Sequence, residues 1–547
     1  MTTESGRVSE SPSAIAGPDA VPGATAGTPK DNQYSRRPGG DARNRTDPDS
    51  HRTGTPKHDL DILIVGAGLS GIGAAHHIQS AFPNRTYAIL EARDAIGGTW
   101  DLFRYPGVRS DSDMHTLGYR FRPWTQAKAI ADGPSILQYV RDTATDAGID
   151  RHIRFGHRVT AASWSTEDTR WTVEAVHNGS PVRLTARFLY GCTGYYDYDN
   201  GHAPEFPGVE QFEGTVVHPQ HWPADLDHTG KKVVVIGSGA TAVTLVPAMA
   251  EQAGHVTMLQ RSPTYIIAIP GEDAIANTLR RVLGPRRAYA ITRWKNVALA
   301  TLIYQLSRRR PRAVKSFIRK ATASQLPPGY DLDTHFKPRY QPWDQRLCLV
   351  PDGDLFRSIR HGKSSVVTDT IDHFTRTGVR LASGAELDAD IVVTATGLRL
   401  LAFGGIQVTV DDQPVKLPET MAYKGMMLSD IPNFVFTIGY TNASWTLKAD
   451  LVSEYFVRIL RHLDAHGYDE FVPTNNDPTV TDQPLMDFQA GYVLRAIHDF
   501  PRAGSRAPWR LGMSYANDVV NLRYGRVDDG VMRFSRRPAV VSSPAVP

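Results

Sequence analysis

The chain has 547 residues, of which 41% are hydrophobic and 22% charged, a composition typical of a globular protein with two or three domains. Its net charge of +4 is small for this length and gives no case for a nucleic-acid partner. The two cysteines, Cys192 and Cys348, exclude a disulfide framework and a closely spaced dithiol site, and no apolar run is long enough to cross a bilayer. We therefore expect a cytoplasmic protein.

Residues 1–57 are rich in Pro, Gly, Ser and Thr and contain almost nothing to bury. Glu4 and Glu10 stand early in this segment, and the basic-then-apolar order of a secretory signal is missing from it. We predict that the segment is a disordered N-terminal tail and that ordered structure begins near His58.

A first glycine-rich loop follows an apolar strand predicted over residues 60–65. The loop reads Gly66-Ala-Gly68-Leu-Ser70-Gly71, and its glycines let the backbone approach a pyrophosphate at the start of a helix, where unpaired N–H groups favour an anion. The next predicted strand ends at Glu91, twenty residues beyond Gly71, the spacing expected of an acid that binds a ribose hydroxyl. This unit predicts a site for FAD.

Two alternating strands come next, over residues 158–164 and 170–175, as in a small inserted sheet. A buried strand over 188–194 then closes the first segment.

A second strand, over residues 232–236, leads into Gly237-Ser-Gly239-Ala-Thr-Ala242. The strand after this loop ends in a base, Arg261, nineteen residues beyond Ala242. A base attracts the 2′-phosphate that an acid would repel, so that this unit predicts a site for NADPH. The fold class follows as α/β, with two Rossmann-like dinucleotide-binding domains.

A helical, strongly basic insertion is predicted over residues 273–330. Its cations cluster at the end of an apolar run, at Arg308, Arg309, Arg310, Arg312, Lys315, Arg319 and Lys320. Two interpretations stay open and are compatible: a helical subdomain covering the active site with a solvated basic face, or an amphipathic surface that lies on anionic lipid.

The strand pattern over 390–397 returns the chain to the first domain. We therefore predict an NADPH domain inserted in a discontinuous FAD domain. The expected boundaries are 58–205 for the first part of the FAD domain, 206–389 for the NADPH domain with its insertion, and 390–547 for the second part of the FAD domain and a C-terminal tail.

The segment between the two units contains a longer motif, with Phe212, Gly214, His218, Trp222 and Pro223 at its fixed positions. It resembles the fingerprint of the Baeyer–Villiger type of class B flavoprotein monooxygenases. The segments 98–114, 342–349 and 441–448 agree with this resemblance, which covers residues 58 to 540.

The resemblance implies roles for individual residues. On the FAD side, the contacts with the pyrophosphate are expected from Gly66, Gly68, Ser70 and Gly71, and the contact with the ribose from Glu91. Thr99, Trp100 and Asp111 are expected near the flavin, and the backbone of Val159 is expected to contact the adenine. On the NADPH side, the contacts with the phosphates are expected from Ser238, Gly239, Ala240, Thr241, Ala242, Val243 and Thr244. Arg261 and Ser262 are expected to contact the 2′-phosphate, and Arg109 and Ser110 to face the nicotinamide. The active-site arginine falls on Arg346, and Gln345 stands where other members often have Lys.

The resemblance also implies an activity: an NADPH- and O2-dependent FAD monooxygenase that converts ketones to esters or lactones through a C4a-peroxyflavin. The same chemistry oxygenates sulfur in thioamides and thioethers, including prodrugs. An NADPH oxidase or reductase without oxygen transfer, and a non-catalytic flavoprotein or lipid-surface protein, are the alternatives.

Plainer roles compete for three of these positions. His218 is expected to couple domain movements or brace a turn, Trp222 to pack, and Arg346 has an ion pair with Asp344 as its alternative. No metal site is expected, since His218 and His221 lack further ligands.

Overall fold

The computed structural model describes residues 60–345, 347–486, 488 and 490–537. The predicted N-terminal tail, Arg346 and the last residues of the C-terminal tail lie outside the described residues. No helix in the described ranges is both long enough and apolar enough to cross a membrane.

A nine-stranded sheet forms the first domain. Its order is β20-β19-β4-β5-β6-β1-β2-β3, and β23 also pairs with β6. The elements from the first segment are strands β1 (Leu60–Val65), β2 (Tyr87–Leu90), β3 (Ile153–Arg154), β4 (His157–Ser165), β5 (Arg170–His177), β6 (Ser180–Gly191) and β7 (Tyr196–Gly201), and helices α1 (Leu69–Ala81), α2 (Thr99–Leu102), α3 (Met114–Leu117) and α4 (Gly133–Asp146).

A second, all-parallel sheet with the order β13-β10-β9-β17-β8 forms the inserted domain. The strands of the inserted domain, including those of two smaller sheets β11-β12 and β14-β15-β16, are β8 (Thr215–Val217), β9 (Lys232–Ile236), β10 (His255–Gln260), β11 (Ile266–Ile269), β12 (Cys348–Pro351), β13 (Ser364–Thr368), β14 (Ile371–Thr375), β15 (Gly378–Leu381), β16 (Glu386–Asp388) and β17 (Ile391–Thr394). Its helices are α5 (Ala240–Met249), α6 (Ala274–Leu283), α7 (Pro285–Arg309), α8 (Pro311–Ala323), α9 (Leu332–His335) and α10 (Asp354–Arg360).

The chain then returns to the first domain. The strands are β18 (Leu398–Leu400), β19 (Gln407–Val410), β20 (Gln413–Pro414), β21 (Ala422–Tyr423), β22 (Met427–Leu428), β23 (Phe434–Phe436), β24 (Glu470–Pro473), β25 (Asp482–Pro484), β26 (Arg502–Gly504) and β27 (Met532–Ser535), and the helices α11 (Trp445–His466), α12 (Gly491–Ala496) and α13 (Tyr515–Asp518). Single turns of 3₁₀ helix lie at Asp150–His152, Val209–Gln211, Pro219–His221, Ala402–Gly405, Leu417–Glu419 and Ile497–Asp499, and a π-helix at Val519–Tyr524.

Strand β1 is buried on both faces, as expected of a central parallel strand. Ile62 and Ile64 pack with α1 and α11 on one face, while Leu63 and Val65 pack on the other. The alternation fixes the register of β1 between β2 and β6, so that both neighbours end beside the first glycine loop.

Two predictions about the organisation need correction. The boundary at 389/390 is wrong, because β17 pairs with β8 and β9 of the second sheet, so that the second domain extends through Thr394. The predicted small inserted sheet is part of the large one, because β6 has twelve residues and pairs with β5 along its first half and with β1 along its second. The basic range 273–330 contains helices α6, α7 and α8.

Candidate active site at two glycine loops

The first glycine loop needs glycine for steric reasons. Gly66 has φ +106°, and a Cβ there would lie 2.4 Å from the carbonyl oxygen of Cys192 at the end of β6. A Cβ on Gly71 would lie 1.9 Å from the carbonyl oxygen of Gly66. Helix α1 begins at Leu69 without a side-chain cap on Gly68, so that its first N–H groups are available to an anion.

Glu91 stands at this loop. Its side chain is buried, its Oε2 accepts a hydrogen bond from the N–H of Ala67 at 2.7 Å, and its Oε1 accepts one from the N–H of Arg93 at 2.9 Å. Burial raises the pKa of the Glu91 carboxyl, and these two N–H groups act against that rise. Each oxygen keeps a further acceptor position, which suits a ribose hydroxyl.

A second pair of glycines faces the first loop. Gly98 has φ +56°, and a Cβ on it would lie 3.1 Å from the Cα of Gly68. Helix α2 begins directly after it, with Thr99 Oγ1 3.0 Å from the hydroxyl of Tyr198 and Trp100 partly buried. The backbones of Gly68 and Gly98 thus approach so closely that a Cβ on Gly98 would crowd Gly68, and the cradle that they form fits a cofactor approached by backbone alone.

Two aromatic residues at this site were missed from the sequence. Trp445, the first residue of α11, donates a hydrogen bond from its indole Nε1 to Ser70 Oγ at 2.7 Å. The Ser70 hydroxyl thus already accepts a hydrogen bond from within the protein. Tyr198 holds Thr99, and burial raises its pKa to about 12. Neither residue lies in a glycine motif. Only their contacts with Ser70 and Thr99, which are distant in the sequence, identify them as residues of this site.

The remaining residues predicted near FAD and the nicotinamide lie on separate elements. Val159 is buried on β4, opposite Ala175 of β5, and Asp111 is partly buried. Ser110 is buried and its hydroxyl donates to the carbonyl oxygen of Ser112 at 2.5 Å. Arg109 forms an ion pair with Asp354 of α10.

Arg109 therefore joins the two domains. Its Nη2 also lies 3.5 Å from the carbonyl oxygen of Val243 on α5. The same stretch packs closely on α5, since a Cβ on Gly107 would lie 2.5 Å from the carbonyl oxygen of Thr244. Residues 107–110 of the first domain thus pack against the second turn of α5, the helix at whose start the second cofactor is predicted.

The second glycine loop repeats the geometry of the first. Gly237 has φ +132°, and a Cβ there would lie 2.3 Å from the carbonyl oxygen of Ala395. Helix α5 begins at Ala240 without a side-chain cap on Gly239, where a Cβ would meet no atom of the described residues within 4 Å. The start of this helix therefore faces open space and fits a phosphate group.

The predicted stretch 238–244 divides into two parts. Ser238 shares a hydrogen bond of 2.7 Å with Thr264, and Thr241 lies in the first turn of α5. The side chains of Ala242 and Val243 are buried in the core of the second domain, and Thr244 donates to the carbonyl oxygen of Thr241 at 2.8 Å. These last three residues position the helix rather than offer side chains to a ligand.

Arg261 and Ser262 follow β10 and are exposed. Among the described residues no carboxylate lies within 4 Å of the Arg261 guanidinium. An exposed cation without a carboxylate partner among the described residues, at the end of the strand that follows the glycine loop, suits a 2′-phosphate.

The fingerprint segment runs between the two domains. Phe212 packs edge-on against Phe374 at 5.8 Å, and a Cβ on Gly214 would lie 2.4 Å from its ring. The His218 ring lies against Gly201 at the end of β7, where a Cβ would come within 2.2 Å of it, and its Nδ1 accepts from the N–H of Gln220 at 3.2 Å. Burial lowers the pKa of His218, so that neutral imidazole is favoured.

These contacts assign the fingerprint to the domain connection. Strand β8, inside the motif, is the edge of the second sheet, while β7, which His218 touches, pairs with β18 in the other connecting segment. Trp222 packs partly buried on the core of the second domain, beside Pro223. In the described ranges no group of three His, Cys, Asp or Glu is placed to hold a metal.

Arg346 lies outside the described residues. The contacts of Trp343 and Asp344 show what holds the preceding part of the segment between α9 and β12. Asp344 pairs with Arg308 of α7 at 2.9 Å and accepts from the N–H of Gln341 at 3.0 Å. Trp343 has φ +73° and packs on Tyr304 of α7 at 5.8 Å. The segment around the predicted active-site arginine is thus held by the basic insertion.

Comparison with known proteins identifies the family. The family model described as flavin-binding monooxygenase-like matches residues 129–305, and an NAD(P)-binding Rossmann-like domain matches residues 64–132. The FAD-containing monooxygenase EthA of Mycobacterium tuberculosis strain H37Rv is 57% identical over 483 residues, which are 88% of this chain and 99% of that protein. EthA of Mycolicibacterium smegmatis is 53% identical over 485 residues, again 88% and 99% of the two chains.

Solved structures share the fold at lower identity. An oxidized steroid monooxygenase bound to NADP superposes with a TM-score of 0.70 at 23% identity, over 87% of this chain and 99% of the other. An open form of cyclohexanone monooxygenase gives 0.65 at 21% identity, over 76% and 90%. The predicted α/β fold with two dinucleotide-binding domains is confirmed, as are the flavoprotein class and FAD. This chain belongs to the family of FAD-containing monooxygenases.

Proposed function

We propose that this monooxygenase uses NADPH and O2 to convert ketones to esters or lactones, and that it also oxygenates sulfur in thioamides and thioethers. NADPH gives two electrons, one oxygen atom enters the C–C bond beside the carbonyl, and the other leaves as water with the transferred protons. The observation that carries the proposal is the complete Phe212-to-Pro223 fingerprint, seated where the two nucleotide domains connect.

FAD, when bound, supplies the redox chemistry and the activation of oxygen. The residues of this chain bind and orient: the start of α1 takes the pyrophosphate, Glu91 takes the ribose, and the start of α5 takes the phosphates of the nicotinamide cofactor. The Arg109–Asp354 pair holds α5 and α10 against the first domain. Arg346 stabilises the negative charge that develops on the transferred oxygen and the carbonyl oxygen.

Product analysis under ¹⁸O2 tests this activity. Long-chain methyl ketones, aryl ketones and thioamides are each incubated with the purified holoenzyme and NADPH, and hydrogen peroxide is measured in parallel. We expect esters or S-oxides that carry one ¹⁸O atom per NADPH consumed. Stoichiometric peroxide without organic product would instead identify an NADPH oxidase, and bound FAD without NADPH turnover a non-catalytic flavoprotein.

We further propose that the enzyme contacts anionic membrane surfaces peripherally, through helices α6 to α8. Residues 274–330 carry thirteen Lys and Arg and no Asp or Glu. The whole chain has 61 basic and 57 acidic residues, so that the remainder carries 48 basic residues against 57 acidic ones. The charge asymmetry orients the insertion towards a negative surface.

Exposed apolar side chains on the same helices support this contact. Ten of the sixteen large hydrophobic side chains exposed in the described part of the chain lie there: Ile275, Val282, Leu283, Ile291, Trp294, Leu299, Leu302, Ile303, Leu306 and Phe317. An amphipathic helix with basic and apolar residues of this kind lies in the headgroup region of a bilayer.

Vesicle flotation tests the membrane contact. We expect the holoenzyme to float with phosphatidylglycerol vesicles and not with phosphatidylcholine, and a double variant Leu302→Ser/Phe317→Ser to bind at least about tenfold less, since two apolar side chains no longer enter the bilayer. Leu494→Ser, which changes an equally exposed leucine on α12, is the matched control and should bind normally. Equal loss in both variants, or no flotation of the parent, would contradict the contact.

A further inference from the structure

A cavity of about 270 Å³ lies under α7, between this helix, residues 120–123 and the C-terminal residues 515–523. A single water needs only ~10–15 Å³ on the same measure, so that the cavity is large enough for a molecular group. None of its lining residues belongs to either glycine loop or to the fingerprint segment.

Four arginines line this cavity: Arg120, Arg286, Arg293 and Arg523. Two carboxylates pair with them. Glu454 lies 2.9 Å from Arg120 and 2.7 Å from Arg523, and Asp450 lies 3.4 Å from Arg293. Four guanidinium groups against two carboxylates leave two positive charges, and Arg286 has no ion pair among the described residues. The lining therefore favours an anion.

Arg293 supplies the strongest indication of a ligand. Its side chain is buried, and its Nη1 donates to the carbonyl oxygens of His115, Thr116 and Gly118 at 2.7–3.1 Å. Its Nε is also buried and has no hydrogen-bond partner among the residues that the structure describes. A buried N–H of a charged group is rarely left unpaired in a protein, and an acceptor in the cavity that Arg293 lines would pair it.

Aromatic side chains complete the lining and point to an amphiphile. Trp294 is 53% exposed and lies 6.0 Å from the ring of Tyr515. Both rings combine an apolar body with a polar N–H or O–H, which is the character of residues at the level of lipid headgroups. Ile291, one turn away on α7, is exposed, so that the mouth of the cavity adjoins the apolar surface of the insertion.

We propose that this cavity binds the anionic headgroup, phosphate or carboxylate, of a single amphiphile whose apolar chain lies along the exposed side of α7. Arg286 and Arg293 are its cationic partners, and Trp294 with Tyr515 contacts the first part of the chain. This site is separate from the proposed oxygen transfer and does not need a bilayer, since one dissolved amphiphile fills it.

Titration calorimetry of the full-length FAD-loaded enzyme tests the site, with decyl phosphate and decanoate below their micelle concentrations and with inorganic phosphate. We expect one decyl phosphate to bind per chain. Arg286→Glu should weaken this binding at least about tenfold, because a charge-assisted contact is replaced by repulsion. Arg286 is exposed and unpaired among the described residues, so that the variant should keep its fold.

Arg287→Glu is the matched control, because Arg287 is the adjacent exposed arginine and does not line the cavity. It should change the affinity less than twofold. An equal loss in both variants would show diffuse attraction to the basic surface and overturn the site. Inorganic phosphate that binds as tightly as decyl phosphate would assign the cavity to a free anion and overturn the amphiphile, and absence of stoichiometric binding would overturn both.

Discussion

Replacing Arg346 with alanine will leave reduction of the flavin by NADPH close to the parent rate but will lower product formation by ~10²–10³. The reason is electrostatic: the guanidinium stays cationic at any working pH and offers several donors in a fixed fork to the oxygen atoms that become negative during transfer. Stopped-flow absorbance measures the reduction, and chromatography of ester or S-oxide measures the product. NADPH consumption without product should then appear as hydrogen peroxide.

Two companion variants separate this role from a structural ion pair. Arg346→Lys keeps the charge and loses the fork, so that its product yield should fall between those of the parent and the alanine variant. Asp344→Asn removes the carboxylate of the alternative ion pair, and Asp344 already pairs with Arg308. We expect it to change product formation by less than about fivefold, the scale of a partly exposed pair. A full loss in Asp344→Asn, or unchanged product in Arg346→Ala, would remove Arg346 from its proposed role.

The glycine loops could be predicted because an apolar strand, the glycines and a helix follow one another directly in the sequence. At Gly66, a positive φ and the approach of Cys192 exclude any other residue, and the same holds at Gly237 beside Ala395. These contacts come from distant segments, but the glycines that they require stand in the sequence between an apolar strand and a helix, where the motif is recognisable. Glu91 and Arg261 could be identified because a single crossover helix fixes their distance from the loop.

The domain boundary could not be predicted in the same way. Strand β17 is a short apolar strand followed by glycine, and so is the end of β6, yet β17 pairs in the second sheet and β6 in the first. A buried parallel strand is apolar on both faces wherever it lies, so that its composition does not identify its sheet. Only its hydrogen-bonded neighbours decide the domain.

Contacts between distant segments were also beyond prediction. Trp445 reaches Ser70 across 375 residues, and Arg109 reaches Asp354 across 245. The buried Arg293 stands among the other cations of the insertion with no local feature that separates it from them. In each case the partner is set by tertiary packing, which a single sequence does not reveal.

Replacing Arg261 with alanine will raise the Michaelis constant for NADPH by about 10- to 100-fold and leave that for NADH within about twofold, because only NADPH loses a charge-assisted phosphate contact. Initial rates with each cofactor give both constants. Lys231→Ala is a suitable control, since Lys231 is an exposed cation of the same domain just before β9 and should affect neither. An equal rise for the two cofactors would mean that Arg261 contacts a group they share.

The expected rise in the Michaelis constant for NADPH is large also because Gln345 adds no second cation. The resemblance to the Baeyer–Villiger type implies a Lys at this position as a second cation for the 2′-phosphate, but Gln345 carries no charge. Arg261 must therefore account for a larger share of the discrimination in this chain. Gln345→Lys in the Arg261→Ala background should restore part of the preference for NADPH, and failure to do so would place Gln345 out of reach of the 2′-phosphate.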